Sequence, residues 1–444
     1  MLRCAKHLFP SAPRYARVKH QPKRRRLAAT IIALGTTAVP CAWADAAMEA
    51  GPLASRAVLT GDWDGRRTAW ARQGINIDIN HFGDVMTVVD GGAERGIYYA
   101  GLLEVGLALD LATLLDWPHS RAVVLGIGTF GRDPGDGSAS IHAPSNLANT
   151  PTGTLLEAWF ERDLFDGRLA LLGGLYAVDS EFDVKETAGV FANGGFGTGL
   201  DLSETGLNGP CAYPSTCLGV RVRYQPDESR YVQLAVLDGG AGDPHQPHGI
   251  QVHLRSDDGL FIIGETGIQQ GADEGRFLRA ALGAWRYTTE FETISQPDAP
   301  TAVRIRNGTR GVYALLEGVL YSEPGHITQG LSGFLRFGFA EESVNPIGRY
   351  AGAGLVYTGL LPGRDEDVLG LGVSAAFIGR DFKDTQAQAG IPVDSREQVL
   401  ELTYWMPVSP WLSLQLDLQY ISNPSADPGL DDATLFGLRY QIAF

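Results

Sequence analysis

The segment Thr434-Leu435-Phe436-Gly437-Leu438-Arg439-Tyr440-Gln441-Ile442-Ala443-Phe444 decides the fold of this chain. A soluble antiparallel sheet alternates apolar and polar residues in the same way, with its apolar row turned toward a core. An aromatic residue at the very end of such a row is typical of the closing strand of a bacterial outer-membrane β-barrel. The apolar row is Phe436, Leu438, Tyr440, Ile442 and Phe444, and Gly437, Arg439 and Gln441 interleave on the other face.

The same period of two recurs along the chain from Ile75 onward. Leu412, Leu414, Leu416 and Leu418 form the cleanest row, and polar side chains alternate with them. About 16 strands of ~10 residues fit the segment from 75 to 444, and bacterial barrels use even numbers of strands. The fold class predicted is therefore all-β, a transmembrane antiparallel barrel of about 16 strands.

The connections between these strands fall into two length classes. Short turns are predicted at 165–167, 225–228, 322–325 and 407–410, and long Gly/Asp/Asn/Ser-rich stretches near 131–153, 179–217, 238–257, 379–396 and 422–432. Short connections at one end and long ones at the other are what barrel hairpins across a membrane produce.

The composition of the chain agrees with a barrel. Gly contributes 56 of 444 residues, nearly twice its usual share of roughly 7%, as many tight turns would require. After residue 44 no stretch of about 18 apolar residues occurs, so a transmembrane helix is not expected. A spanning chain without such helices must close into a barrel, because lipid cannot satisfy open backbone groups. The soluble alternative is a secreted sandwich or propeller, but no regular blade repeat is found.

Residues 1–44 are predicted to be a removable export signal. Nine basic residues and no acidic one precede an apolar stretch, which ends at the small-x-small pattern Ala42-Trp43-Ala44. Removing nine of the 36 basic residues leaves 27 against 51 acidic residues, a net charge of −24. Such acidity argues against a nucleic-acid partner, which needs a basic surface.

Residues 45–74 differ from the strands that follow. The segment from Asp62 to Gly74 is predicted to form one short periplasmic helix that ends at Gly74. Residues 75–444 then form the barrel. Two cysteines remain after the signal, Cys211 and Cys217, and a disulfide that braces a loop is expected because exported chains fold where disulfides persist. No metal or cofactor is predicted.

Several segments resemble the carbohydrate-selective porins of the OprB type. Leu59-Thr60-Gly61-Asp62-Trp63-Asp64-Gly65-Arg66-Arg67 is similar to that family's N-terminal segment. The internal stretch from Gly359 to Val373 and the last three strands are similar as well, although Glu317-Gly318 stands where an Asp-Gln pair is expected. The resemblance implies an outer-membrane channel through which mono- or small oligosaccharides diffuse without energy coupling. It also implies a constriction built from an inward-folded loop with basic or aromatic wall residues.

Alternation assigns polar residues to the inner wall, where a sugar would need donors, acceptors and aromatic faces but no deep binding well. The alternative interpretation is that such residues line any water-filled barrel without binding a sugar. A one-residue error in register would reverse the faces of a strand. The candidate pore-lining residues are Glu104, Trp159, Arg221, Arg223, Glu265, Arg279, Trp285, Glu317, Arg336, Asp417, Gln419 and Arg439.

Two alternatives to a sugar channel stay open. A general or ion-selective porin would have the same barrel. An outer-membrane barrel enzyme would need a Ser/His or Asp/His cluster at one rim, and none is evident, so no enzyme is predicted. The expected partners are the sugar, the lipid bilayer and lipopolysaccharide, with the barrel working as a monomer or a homotrimer.

Overall fold

The chain folds into one closed barrel. The computed structural model describes residues 53–444 except 243–247, 251, 253, 256, 272–275 and 295–303. Within this part, sixteen strands form the barrel: β1 Ile75–Asp90, β2 Gly96–Asp110, β3 Ser120–Gly131, β4 Thr152–Leu164, β5 Leu169–Tyr176, β6 Cys217–Asp227, β7 Arg230–Asp238, β8 Leu260–Gln270, β9 Leu278–Glu292, β10 Ile305–Glu323, β11 His326–Ala340, β12 Ile347–Thr358, β13 Val368–Ile378, β14 Arg396–Ser409, β15 Leu412–Ser422 and β16 Ala433–Ala443.

Each strand pairs antiparallel with the strand before and after it, and the ends of the sheet meet. The closing pair joins β1 to β16, with Asp84 opposite Arg439. The terminal residue takes part, since the Phe444 backbone N–H donates to the Ile79 carbonyl at 2.9 Å. A two-residue strand, Gly249–Ile250, adds to β4 in parallel. The predicted barrel of about 16 strands is confirmed.

The alternation seen in the sequence separates the two faces of the barrel wall. Leu282 is 63% exposed on the outside, Phe337 50% and Leu416 52%, although a soluble protein would bury such side chains. Arg336, next to Phe337, has no exposed surface at all. The outer face is thus an apolar band, and the polar side chains project inward, as in membrane barrels.

The connections also follow the predicted asymmetry. The strands are joined at one end by segments 111–119, 165–168, 228–229, 271–277, 324–325, 359–367 and 410–411. At the other end the connections are 91–95, 132–151, 177–216, 239–259, 293–304, 341–346, 379–395 and 423–432. All five long stretches predicted from composition lie at this second end. Below, it is called the long-loop end, and the first is called the short-turn end.

The helices of the described residues are short, and none is long and apolar enough to cross a membrane. The N-terminal helix was predicted to begin at Asp62, but it begins at Arg66, because Trp63, Asp64 and Gly65 all have positive φ. Asp62 instead accepts a hydrogen bond from the Thr68 backbone N–H at 2.8 Å. The predicted signal, 1–44, and residues 45–52 lie outside the described residues. The helices are α1 Arg66–Arg72, α2 Leu111–Leu115, α3 Pro134–Ser138, α4 Leu200–Ser203 and α5 Arg380–Gln388.

Part of the chain folds back into the barrel interior. Residues 177–216, here called the inward loop, leave β5 at the long-loop end and pack against the inner wall. Phe182 of this loop is buried among wall residues of β7 to β10, and Phe191 and Phe196 pack against Phe334 of β11. Cys211 and Cys217 form a disulfide that joins the end of the loop to β6.

Candidate functional site

The alternation of β11 turns Arg336 toward the barrel axis, where it meets two aspartates of the inward loop. Its Nε lies 3.2 Å from Asp183 Oδ1, and its Nη2 lies 2.9 Å from Asp183 Oδ2. Its Nη1 donates to Asp201. None of the three side chains is exposed to solvent. A guanidinium presents its donors in a planar fork that matches carboxylates, so this contact holds the loop in one orientation.

A lysine completes this contact from within the loop. Lys185 Nζ donates to Asp183 Oδ1 at 3.1 Å and to the Gly197 carbonyl at 2.6 Å. The ring faces of Tyr313 and Tyr350 lie 5.4 and 5.2 Å from the Arg336 guanidinium carbon, close enough for cation–π attraction. Two cations and two carboxylates are thus buried together. Removing one partner would leave a buried charge uncompensated.

Wall carboxylates bind backbone N–H groups of the same loop. Glu401 accepts from Ala192 N–H at 2.6 Å and from Asn193 N–H at 3.0 Å. Glu317 accepts from Thr187 N–H at 2.8 Å. An irregular loop inside a barrel has backbone donors that secondary structure does not satisfy, and the inward carboxylates satisfy them.

A second connection also enters the barrel. Residues 132–151 bring Ser145 and Asn146 to the closing strands, where Arg439 forms a two-point ion pair with Asp84 at 2.6 and 2.7 Å. Ser145 Oγ donates to Asp84 at 2.6 Å, and Arg439 Nη2 donates to Asn146 Oδ1 at 2.7 Å. The wall on this side therefore holds a loop in the same manner.

All twelve candidate pore-lining residues lie on the inner face. Ten of them are less than a tenth exposed, so in this structure they contact loops or one another rather than open lumen: Glu104, Arg221, Glu265, Arg279, Trp285, Glu317, Arg336, Asp417, Gln419 and Arg439. Trp159 and Arg223 keep intermediate exposure. Contact with a sugar stays a prediction for all twelve, and the geometry favours these two.

The two partly exposed residues lie beside a ladder of charges on β3 to β6. Glu161 lies between Arg121 and Arg221 and accepts from both guanidinium groups. Arg221 Nε in turn donates to Glu181 of the inward loop at 2.6 Å. Side-chain exposure is 23% at Arg121 and zero at Arg221, so the ladder runs from accessible wall to buried loop contact.

Aromatic rings accompany the accessible part of this ladder. The Arg121 guanidinium carbon lies 5.9 Å from the Trp159 ring centroid, and that of Arg223 lies 4.6 Å from the Tyr231 ring. Arg223 Nη1 also donates to Gln233 at 3.2 Å. Arg121, Trp159, Glu161 and Arg223 are called the polar strip below. It combines donors, acceptors and an aromatic face, which are the groups that a sugar can bind.

Sequence reasoning missed Arg121, Glu181, Asp183 and Asp201. The inward row of β3 continues from Arg121 to Val123 and Leu125, so both faces of that strand are apolar and alternation could not choose between them. The three acidic residues lie in a long loop whose composition matches that of the other loops. One feature of the sequence could have pointed to this loop, because Lys185 is one of only two lysines after residue 44.

A buried pair of one histidine and one glutamate bears on whether the barrel could be an enzyme. His142 Nδ1 and Glu397 Oε1 are 2.7 Å apart, and neither side chain is exposed. Glu397 also accepts from the backbone N–H groups of Ile141 and Ser425. The pair holds loops 132–151 and 423–432 together, and both side chains are enclosed by protein.

Comparisons with known proteins agree with this architecture. The profile of the family described as carbohydrate-selective porin, OprB family, matches residues 94–444. Porin B of Pseudomonas aeruginosa is 23% identical over 422 residues, covering 87% of this chain and 91% of that protein. A high-pH structure of Pseudomonas putida OprB, 22% identical, covers 89% of this chain and all of its own, with a TM-score of 0.80. A low-pH structure of that protein, 18% identical, has a TM-score of 0.56 over 88% of this chain and 99% of its own. The barrel, its inward loop and the family match lead to one conclusion: the chain belongs to the OprB family of carbohydrate-selective porins.

Proposed function

We propose that mono- and small oligosaccharides cross this outer-membrane porin passively, along the polar strip and past the inward loop. The supporting observation is that Arg121, Trp159 and Arg223 stay partly exposed on the inner wall, while most other inward polar side chains are engaged by loops. The strip lies toward the short-turn ends of its strands. A sugar that enters from the long-loop end would therefore pass the inward loop before it reaches the strip.

The chemistry of the strip suits weak, reversible binding. Arginine donors match the hydroxyl oxygens of a sugar and are held in place by the buried Glu161 carboxylate, and the Trp159 ring matches the C–H face of a pyranose. Each group already has a protein partner, so a sugar would exchange contacts rather than fill an unmet demand. Binding is then shallow, as passage requires.

Orientation and processing form part of the same proposal. Long connections of such barrels face outward and short turns face the periplasm. The long-loop end would then lie outside the cell, and residues 45–74, with α1, would lie in the periplasm after residues 1–44 are removed. Each barrel encloses its own path, so the proposal holds for a monomer or a homotrimer surrounded by lipid and lipopolysaccharide.

We infer that the porin catalyses no reaction. The buried His142–Glu397 pair supports this, because a substrate cannot reach it. Permeation needs only a continuous polar path and a weak site.

Planar-bilayer conductance of the purified full-length protein tests the proposal. Glucose or maltose added to a KCl solution should lower the current in a saturable manner, and proteoliposomes should swell in the same sugars. If neither sugar changes the current and the reversal potential shows a strong preference for chloride, the protein is an ion-selective porin instead.

A further inference from the structure

Four of the described arginines lie on the outer surface of the barrel toward the long-loop end, in contrast to the buried arginines of the lumen. They are Arg286 on β9, Arg310 on β10, Arg349 on β12 and Arg396 on β14, and all four are exposed. Each stands on the outward face, in the half of its strand nearer the long-loop end. This set is called the outer arginine row.

The first two arginines are direct neighbours across two strands. Arg286 is the register partner of Arg310, and like charges in that position repel. Among the described residues no carboxylate pairs with Arg286. Arg310 Nε reaches Glu341 Oε2 only at 3.8 Å, while the other oxygen of Glu341 accepts from Arg306 at 2.7 Å. An anion between the two guanidinium groups would remove the repulsion.

The other two arginines flank one aromatic residue. Phe377 on β13 is the register partner of both Arg349 and Arg396. Their guanidinium carbons lie 5.7 and 5.9 Å from its ring centroid. Two strand spacings of about 4.8 Å place the two arginines about 10 Å apart along the surface. The ring therefore holds two cations on the outer face, and no described carboxylate pairs with either.

An apolar surface continues from the row toward the short-turn end. Leu282, Val312, Phe337, Val373 and Leu400 face outward there and are 41–63% exposed. The far side of the barrel differs, since the corresponding outward positions of β1, β2 and β3 hold Val89, Ile97 and Phe130. At these three positions apolar side chains therefore stand in place of the arginines of β9–β14.

We propose that the outer arginine row binds the phosphate groups of the glycolipid in the outer leaflet, lipopolysaccharide, whose acyl chains lie on the apolar surface beside it. Arginine binds phosphate with two parallel hydrogen bonds, and basic side chains at a membrane surface attract anionic headgroups. Glu290 and Glu292 are also exposed on this face of β9, but they lie beyond Arg286, farther from the apolar band.

Binding of purified lipopolysaccharide to the full-length protein in detergent tests this proposal by native mass spectrometry. The double variant Arg349→Gln/Arg396→Gln should weaken binding roughly 10- to 30-fold, because each cation near an anionic surface contributes to the binding affinity. The matched control is Arg162→Gln/Arg168→Gln, two exposed arginines at the short-turn end, and it should bind like the wild type. Glucose-driven swelling of proteoliposomes should be unchanged in both variants and shows that the barrel is folded.

Two further probes distinguish binding of lipopolysaccharide from binding of free phosphate. Lipopolysaccharide that has been dephosphorylated should bind the wild type as weakly as native lipopolysaccharide binds the Arg349/Arg396 variant, and inorganic phosphate alone should not compete at millimolar concentration. Equal losses in the variant and its control, unchanged binding in both, or full competition by inorganic phosphate would each overturn the proposal.

Discussion

Arg336 of the barrel wall and Asp183 of the inward loop form a two-point ion pair at 3.2 and 2.9 Å, with no exposed surface on either side chain. The two residues are 153 positions apart in the chain. Their contact joins the inward loop to the barrel wall across the interior.

Replacing Arg336 with Ala should free the loop. Asp183 and Asp201 would keep buried carboxylates without their guanidinium partner, which costs about 3–5 kcal/mol in comparable pairs. We expect a higher and noisier single-channel current and a lower urea midpoint. Arg276→Ala, at an exposed position between β8 and β9, is the control. An unchanged current in Arg336→Ala would mean that the ion pair does not hold the constriction.

Adding one methyl group at Gly199 should disturb the same contact without changing any charge. A Cβ there would lie 2.3 Å from the Arg336 guanidinium carbon. Overpacking of this kind costs about 1–3 kcal/mol, so Gly199→Ala should lower the unfolding midpoint and alter conductance. Gly153→Ala is the matched control, because no atom lies within 4 Å of its added Cβ. Equal behaviour of the two variants would contradict the expectation.

Removing the Trp159 ring should weaken the block of the current by sugars. Loss of an aromatic face worth about 0.5–1.5 kcal/mol predicts a several-fold higher sugar concentration for half-block. The control is Trp117→Ala, because Trp117 is 51% exposed in the turn between β2 and β3 and packs against Phe160 on the outside. A shift of equal size in both variants would remove Trp159 from the sugar path.

The loop between β3 and β4 should make stability depend on pH. Asp133 accepts from Gly135 N–H at 2.7 Å at the start of α3, and burial raises its pKa from 3.8 to about 6. A raised carboxyl pKa means that the group favours folding fully below about 4 and loses this contribution as pH rises through 6. Asp133→Asn stays neutral and keeps the helix cap.

The melting temperature of Asp133→Asn, relative to the wild type, should therefore rise between pH 4 and 6 and level off above. Asp166→Asn changes an exposed carboxyl in the turn between β4 and β5 and serves as the control. Parallel melting curves for wild type and Asp133→Asn across this range would rule out the burial of that carboxyl.

Alternation in the sequence predicted the faces of the wall correctly, because neighbouring residues of a strand must point to opposite sides. Leu282 faces outward and Arg279 inward as expected. The predicted long and short connections lie at opposite ends, because hairpins reverse the chain direction at each turn. Alternation failed on β3, where apolar residues on both faces hid the inward position of Arg121.

The sequence by itself thus determined a closed barrel with an apolar exterior and a polar interior, since that pattern is local and repeats strand after strand. Only the tertiary structure decided which polar residues remain accessible. The inward loop supplies Glu181, Asp183 and Asp201 to wall arginines that are 40 to 153 residues away in the chain. Such pairings depend on where a long loop returns inside the barrel, and no local period in the sequence records that position.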